Sequence, residues 1–237
     1  MSLLTWNLAG LDDRRLDERT EAACFEVLLR PEPVTVLVFQ ELVRRSWHAH
    51  WKHHLRHAGY AVFPEDPTAT DSEYFSAVAV LGDRNPGPGG VSAFPGSRMG
   101  RALAWAEVGG WLVCTGHLES ERAGSDERVR QLAAVVARLE ARDGPAVFAG
   151  DTNLRVTEEP AVDGLDRAID VWTALGRPAD GKSTWIGGRI GARFDRIYTN
   201  RAVQPVSLST FGAATLPDLG VRVSDHLGLL ATLARTA

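Results

Sequence analysis

Hydrophobic residues follow two rhythms along this chain. Short runs in which nearly every position is apolar predict strands buried on both faces: Leu3 to Trp6, Val34 to Phe39, Tyr60 to Phe63, Phe75 to Leu81, Ala102 to Val108, Trp111 to Thr115 and Ala146 to Ala149. Runs with a period near four predict amphipathic helices. These are Leu16 to Leu29, stopped by Pro31 and Pro33, then Ser46 to Ala58, where Trp47, Trp51 and Leu55 repeat, and Ser125 to Arg142. In the last, Ser125 is the expected cap, and Val129, Leu132, Val136 and Leu139 face inward. Gly109 and Gly110 suit a tight hairpin turn, GDRNPGPGG from Gly82 to Gly90 reads as a hairpin loop, and Ile169 to Leu175 reads as a helix. A glycine-rich basic loop, Gly181 to Gly191, precedes strands near Asp195 to Tyr198, Val203 to Thr210 and Leu227 to Leu233. Strands outnumber helices in both halves and neither a repeat nor a linker interrupts them. The expected architecture is a sheet-on-sheet core with helices outside, as one domain over residues 1–237.

Composition narrows the classes. The 237 residues are 44% hydrophobic and 24% charged, the make-up of a globular chain that buries a core without staples. No apolar run approaches the roughly 20 residues that cross a bilayer, and the N-terminus lacks a secretory pattern. The two cysteines, Cys24 and Cys114, form no disulfide framework, so a cytoplasmic location is expected. A net charge of -4 gives no general attraction for polyanions, and a nucleic-acid site has to be local. Arg98, Arg101, Lys182, Arg189 and Arg193 supply such local charge near loops, and Trp185 offers a face on which a base can stack. Five of the seven histidines (His48, His50, His53, His54 and His57) share the Trp47 helix and read as its solvated face. That leaves His117 and His226.

The chemistry sits where strands end. Asn7, Gln40 with Glu41, His117, Asp151 with Asn153, Asp195, and Asp225 with His226 each lie at an end of a predicted strand. A lone Asp-x-Asn is ordinarily a turn whose side chains bond the neighbouring backbone. Six polar sets on separate strand ends instead converge on one edge of a sandwich. Hard oxygen donors without thiolates point to magnesium, with manganese as the alternative, and Glu41 and Asp225 are the candidate ligands. Phosphodiester hydrolysis needs a positioned water and donors around the developing charge; Asp151 suits the water and His226 a phosphate oxygen.

In order, TWN (Thr5 to Asn7), FQE (Phe39 to Glu41), GHLES (Gly116 to Ser120), GDTNLR (Gly150 to Arg155), RFDRIY (Arg193 to Tyr198) and SDHLGLL (Ser224 to Leu230) resemble the endonuclease/exonuclease/phosphatase superfamily. WNLAGLD, VWTALGRP (Val171 to Pro178) and the Thr184-Trp185 pair are most similar to its branch that releases tyrosine from DNA 5′-ends. The resemblance implies a four-layer α/β/β/α sandwich of the DNase I-like kind, two packed mostly antiparallel sheets with outer helices. It also implies Mg²⁺-dependent hydrolysis of the tyrosyl-DNA bond in DNA repair. Under it Glu41 is the principal metal ligand with Asp225 assisting, and Asn7 positions water or phosphate. Asp151 aligns or deprotonates the water with Asn153, His117 and His226 meet the scissile phosphate, and Asp195 holds His226. Trp185, Arg155, Arg101 and Arg193 are the expected substrate contacts, and DNA 5′-ends with single-stranded overhangs the expected partner of a monomer. An abasic-site endonuclease, a 3′-exonuclease or another phosphodiesterase or phosphatase of the same scaffold is the alternative. The chain opens on its first strand, so no ubiquitin-binding extension is expected. Val156 stands where the family carries an acid, which leaves open what orders the loop of Arg155.

Overall fold

The structure, a computed structural model, describes residues 1–69, 72–217 and 219–236. In chain order its elements begin with β1 (Ser2–Asn7), α1 (Leu16–Leu28) and β2 (Val36–Val43). A continuous helical rod follows, α2 (Arg44–Ser46), a π-helical turn (Trp47–Trp51) and α3 (Lys52–His57). Next come β3 (Tyr60–Phe63), β4 (Tyr74–Leu81), β5 (Pro86–Ala93), β6 (Ala102–Val108), β7 (Trp111–Gly116), α4 (Ser125–Glu140) and β8 (Ala146–Asp151). The chain closes with β9 (Ile169–Asp170), α5 (Val171–Ala174), β10 (Asp195–Thr199), β11 (Val203–Phe211), β12 (Thr215–Leu216), β13 (Val221–Arg222) and β14 (Gly228–Arg235).

Two six-stranded sheets run β11-β14-β1-β2-β4-β3 and β5-β6-β7-β8-β10-β9. Each contains one parallel pair, β1 with β2 and β7 with β8, and is otherwise antiparallel. Alternation along each strand explains the layering, because successive side chains point to opposite faces. Leu3, Val36 and Val38 join Val113, Val147 and Ala149 in the core between the sheets. Their neighbours Leu4, Leu37 and Phe39 turn outward to meet Ala23, Val27, Trp47, Trp51 and Leu55 of the first helical layer. On the other side Ala146 and Phe148 meet Leu132, Val135 and Leu139 of α4. Both faces of every central strand are covered, which is why those strands read as unbroken apolar runs. Truncating a residue such as Leu37 (0% exposed) to Ala costs about 2–5 kcal/mol at a site of this kind. Among the described residues no helix is long and apolar enough to cross a membrane.

Three local expectations are corrected. The Gly82–Gly90 segment is not a hairpin loop: after a turn at Gly82–Arg84 it becomes edge strand β5, whose pairing shifts register between Pro86 and Gly89. An edge strand has one unpaired side, so it tolerates proline and glycine there. Ile169–Leu175 divides into the short strand β9 and the helical turn α5, capped by Asp170, whose carboxylate accepts the Trp172 N–H. Ser125 does not cap α4; the N-cap is Gly124, and the Ser125 hydroxyl donates to Glu158 at 2.6 Å.

Candidate active site

One edge of the sandwich gathers the polar strand ends. β1 of the first sheet ends at Asn7, β2 carries Gln40-Glu41 just past its apolar run, and Asp225-His226 precede β14. From the second sheet, β7 leads to His117, β8 ends at Asp151 and β10 begins at Asp195. The sheets are stitched together there by side chains. Gln40 Nε2 donates to Thr115 Oγ1 at 2.8 Å and Asn7 Nδ2 to Asp151 Oδ2 at 2.9 Å, while His226 Nδ1 pairs with Asp195 Oδ2 at 2.8 Å. His117 closes the ring, with Nδ1 3.4 Å from Glu41 Oε1 and Nε2 3.3 Å from Asp151 Oδ2. A cleft of about 610 Å³ opens over Glu41, Arg101, His117, Asp151, Trp185 and His226.

Backbone geometry places these groups. β2 does not stop at its apolar run: a bulge between Phe39 and Leu42 inserts one extra residue, and Glu41 takes a left-handed φ of 53°. Gly10 packs so closely that an added Cβ would lie 2.1 Å from the Glu41 carbonyl oxygen. Ala9 and Asn153 are also left-handed, at 47° and 49°, so non-glycine strain collects around the cleft. The Ala9 N–H donates to Asn7 Oδ1, which points the Asn7 amide at Asp151. The Asn153 N–H donates to Asp151 Oδ1 at 2.9 Å, fixing the carboxylate plane from the other side.

The electrostatics is uneven. Burial raises the Glu41 carboxyl above its ordinary range, and Asp151 raises it further. His226 is buried, which disfavours its charge, but Asp195 and Asp151, the Asp195 hydrogen bond and Asp225 outweigh that and lift it to about 10. The Asp195 partner makes Nδ1 a donor. His117 is pushed down to about 3 by burial, against the pull of Asp151 and with Arg101 and His226 adding to the fall. Arg101, 5% exposed, stacks over the Tyr74 ring at 4.8 Å, and its Nε and Nη1 are buried with no hydrogen-bond partner. Its remaining contacts are weak ones, to Met99 Sδ at 3.5 Å and Ser120 Oγ at 3.4 Å.

Asn7, Glu41, His117, Asp151, Asn153, Asp195, Asp225 and His226 therefore come together, with Arg101 and Trp185 on the rim. The Trp185 indole N–H donates to Asp225 Oδ2 at 2.9 Å. Arg155 and Arg193 sit apart in a neighbouring groove of about 660 Å³, together with Trp172, Lys182, Ile190 and Phe194. There Arg193 pairs with Asp170 at 2.8 Å and covers the Trp172 ring at 4.6 Å. The loop of Arg155 is ordered by Glu158 rather than by an acid at 156. Its carboxylate accepts the Arg155 N–H at 2.8 Å and clamps the fully buried Arg128 at 2.6 and 3.0 Å. Those contacts outweigh burial and hold the Glu158 carboxyl at about 2.

For a metal, the tightest trio is Asp151, Asp195 and His226, with ligand atoms within 4.8 Å of one another. In that trio Asp195 Oδ2 and His226 Nδ1 are engaged with each other, while Asp195 Oδ1 is buried without a hydrogen-bond partner among the described residues. Glu41 offers a desolvated carboxylate facing the cleft, and Asp225 an exposed one. Residues missed in the sequence include Tyr74, Glu119, Glu158 and Arg19. The buried Arg19 guanidinium donates to the carbonyls of Ala9, Asp12, Arg14 and Val223, tying the loop after β1 to the segment before Asp225. A charged residue on the apolar face of α1 was the available signal.

The family model of the Endonuclease/Exonuclease/phosphatase family matches residues 4–226. Tyrosyl-DNA phosphodiesterase 2 of Mus musculus is 37% identical over 254 residues, covering 98% of this chain and 66% of the relative, and the Homo sapiens protein is 33% identical. The chain thus spans about two thirds of the length of the curated relatives it matches. A crystal structure of D. rerio TDP2 complexed with single-strand DNA product superposes with a TM-score of 0.87 at 30% identity, over 99% of this chain and 98% of that one. The human Nocturnin catalytic domain shares the fold alone, with a TM-score of 0.71 at 18% identity.

Proposed function

This chain belongs to the endonuclease/exonuclease/phosphatase family, and from that premise we propose that it hydrolyses the bond between a tyrosine and a DNA 5′-phosphate, leaving the phosphate on the DNA. The observation that carries the reading is a cleft that Glu41, Asp151 and Asp225 line together with Arg101 and with His226, whose ring Asp195 fixes at 2.8 Å. The similarity to tyrosyl-DNA phosphodiesterases 2 over nearly the whole chain supports the substrate.

The donor set fits a divalent ion, because Glu41 is buried next to Asp151 with its charged form disfavoured, and a cation relieves that excess. Glu41 and Asp225 would hold it, and Mg²⁺ is the ion we assign, with Mn²⁺ the alternative. A divalent ion held there would supply Lewis-acid withdrawal of charge from the scissile phosphate. The chain's residues do the rest. Asp151, held by Asn7 and Asn153, accepts the proton of the attacking water. His226, fixed by Asp195, donates to a phosphate oxygen. Arg101, in the wall of the cleft, sets its positive charge against the anionic oxygens. A phenolate leaves with a pKa of about 10, so no strong general acid is required. The neighbouring groove, with Arg155, Lys182, Ile190 and Phe194, suits a single-stranded 5′-end by charge and stacking.

The test is side-by-side digestion of 5′-tyrosyl, abasic and plain oligonucleotides in Mg²⁺. Release of tyrosine, lost in EDTA and in Glu41→Gln, is the expected result. Efficient incision at abasic sites with negligible tyrosine release overturns the substrate, and full turnover in EDTA overturns the metal.

A further inference from the structure

Arg101 is held in an unusual way for a cation lining a cleft, because among the described residues no carboxylate pairs with its guanidinium and the burden falls on its backbone loop. Residues 97–101 connect β5 to β6, and the loop's anchor is Glu119, two residues beyond His117. Glu119 is 2% exposed, and neutral donors satisfy its carboxylate. Oε2 accepts the Ser97 hydroxyl at 2.7 Å and the Gln131 amide at 3.3 Å, while Oε1 accepts the Arg98 N–H at 3.0 Å.

The direction of these bonds matters. A serine hydroxyl has one hydrogen, and Ser97 gives it to Glu119. Its lone pairs are thereby left to accept the N–H of Arg101 at 2.8 Å and of Met99 at 3.3 Å. Glu119 is itself fixed from α4, where Gln131 Oε1 accepts the Glu119 N–H at 2.8 Å and the buried Arg128 donates to the Glu119 carbonyl at 2.7 Å. An acceptor-only carboxylate is required at this node. A glutamine amide would present N–H groups to one of the donors and reverse the relay.

We propose that Glu119 is a positioning residue for Arg101: through Ser97 it sets the 97–101 loop so that the guanidinium lies over Tyr74 in the wall of the cleft. This rests on the substrate-facing role given to Arg101 above. It assigns the glutamate of the GHLES segment to substrate placement rather than to the reacting atoms.

The experiment combines a double-mutant cycle with hydrogen exchange. Arg101→Ala lowers kcat/KM by roughly 10²-fold, the scale of one lost charge-stabilising donor. Ser97→Ala, Glu119→Ala and Glu119→Gln each lower it by roughly 10-fold or more, and any of them combined with Arg101→Ala is no worse than Arg101→Ala alone. Arg142→Ala, at a surface pair with Glu107, serves as the control and changes nothing. In parallel the Arg98 and Arg101 amides lose exchange protection in the relay variants, while α4 keeps its own. Ser97→Ala carries the test if Glu119→Ala does not fold. Multiplicative losses, or unchanged exchange at Arg101, overturn the proposal. Should the wild type cleave a different oligonucleotide, the cycle is run on that one, and if it cleaves none the exchange result decides alone.

Discussion

His117 and His226 approach the same oxygen, Asp151 Oδ2, at 3.3 Å and 3.7 Å, and each ring is buried. One is held near pKa 3 and the other near 10. Desolvation acts alike on both, so the difference lies in what else each ring touches. His226 has Asp195 bonded to Nδ1 at 2.8 Å and Asp225 nearby. His117 has a 3.4 Å approach to a Glu41 whose own charge is disfavoured, an Nδ1 without a hydrogen-bond partner, and Arg101 pushing against protonation. A buried imidazole is thus pushed toward its neutral form beside Asp151 and a Glu41 whose charge is disfavoured, and toward its charged form beside three carboxylates, one of them hydrogen-bonded at 2.8 Å. The cleft gains a cation on one side of Asp151 and a neutral donor–acceptor on the other.

The largest effect is expected where the two histidines share a partner. Asp151→Asn removes the base and the common anion together, and kcat should fall about 10³- to 10⁴-fold with affinity for a 5′-phosphorylated strand little changed. Single-turnover rates and binding isotherms check it, and a variant that loses binding while keeping its chemistry contradicts it.

Next in size is the His226 side. His226→Ala should cost roughly 10²- to 10³-fold, and adding Asp195→Asn should do little further harm, because the carboxylate works through the ring. A double-mutant cycle reads this directly. The same change on the other side, His117→Ala, should cost less, about 10- to 10²-fold, since a neutral ring gives up only a neutral hydrogen bond. If His117→Ala proves the more damaging, the asymmetry has been misread.

The smallest effect is on stability against pH, measured on metal-free protein. The folded pKa of His226 lies above its unfolded value of about 6.5, so its contribution is fully present below pH 6.5 and is lost as pH rises through about 10. His117 runs the other way: its contribution is present above pH 6.5 and is lost as pH falls toward about 3. Imidazole NMR titrations should show His226 protonated at pH 8 and His117 neutral at pH 5, and Asp195→Asn should bring the His226 midpoint down.

Much of this was legible because each central strand is covered on both sides and leaves an apolar run that ends abruptly in a polar residue. That signature marked Asn7, Glu41, His117 and Asp151, and its mirror image, a polar residue just where a strand begins, marked Asp195 and His226. What it hid depends on contacts between distant segments. Glu158 orders Arg155 from three residues away, but only because Arg128 reaches it from α4, and no local pattern announces that pairing. Tyr74 opens a strand like any aromatic residue, and its role under Arg101 exists only once β4 and the 97–101 loop are neighbours. The Gly82–Gly90 stretch misled for the opposite reason: its local turn chemistry is real, but an edge position makes it affordable in a strand.

The bulge that turns Glu41 into the cleft has a practical meaning for anyone wishing to graft or rebuild this centre. Copying the acidic side chain onto a regular strand would aim it at the wrong face, since a residue added or lost in register reverses the facing of every side chain beyond it. The transferable module is the irregular strand end together with Gly10 from the facing loop, the residue small enough to let the Glu41 carbonyl pass. A library that randomises residue 10 should return glycine even under selection for folding alone, whereas one that randomises Glu41 should return glutamate only when turnover is selected. Comparing the two enrichments would separate, residue by residue, what shapes this corner from what reacts in it.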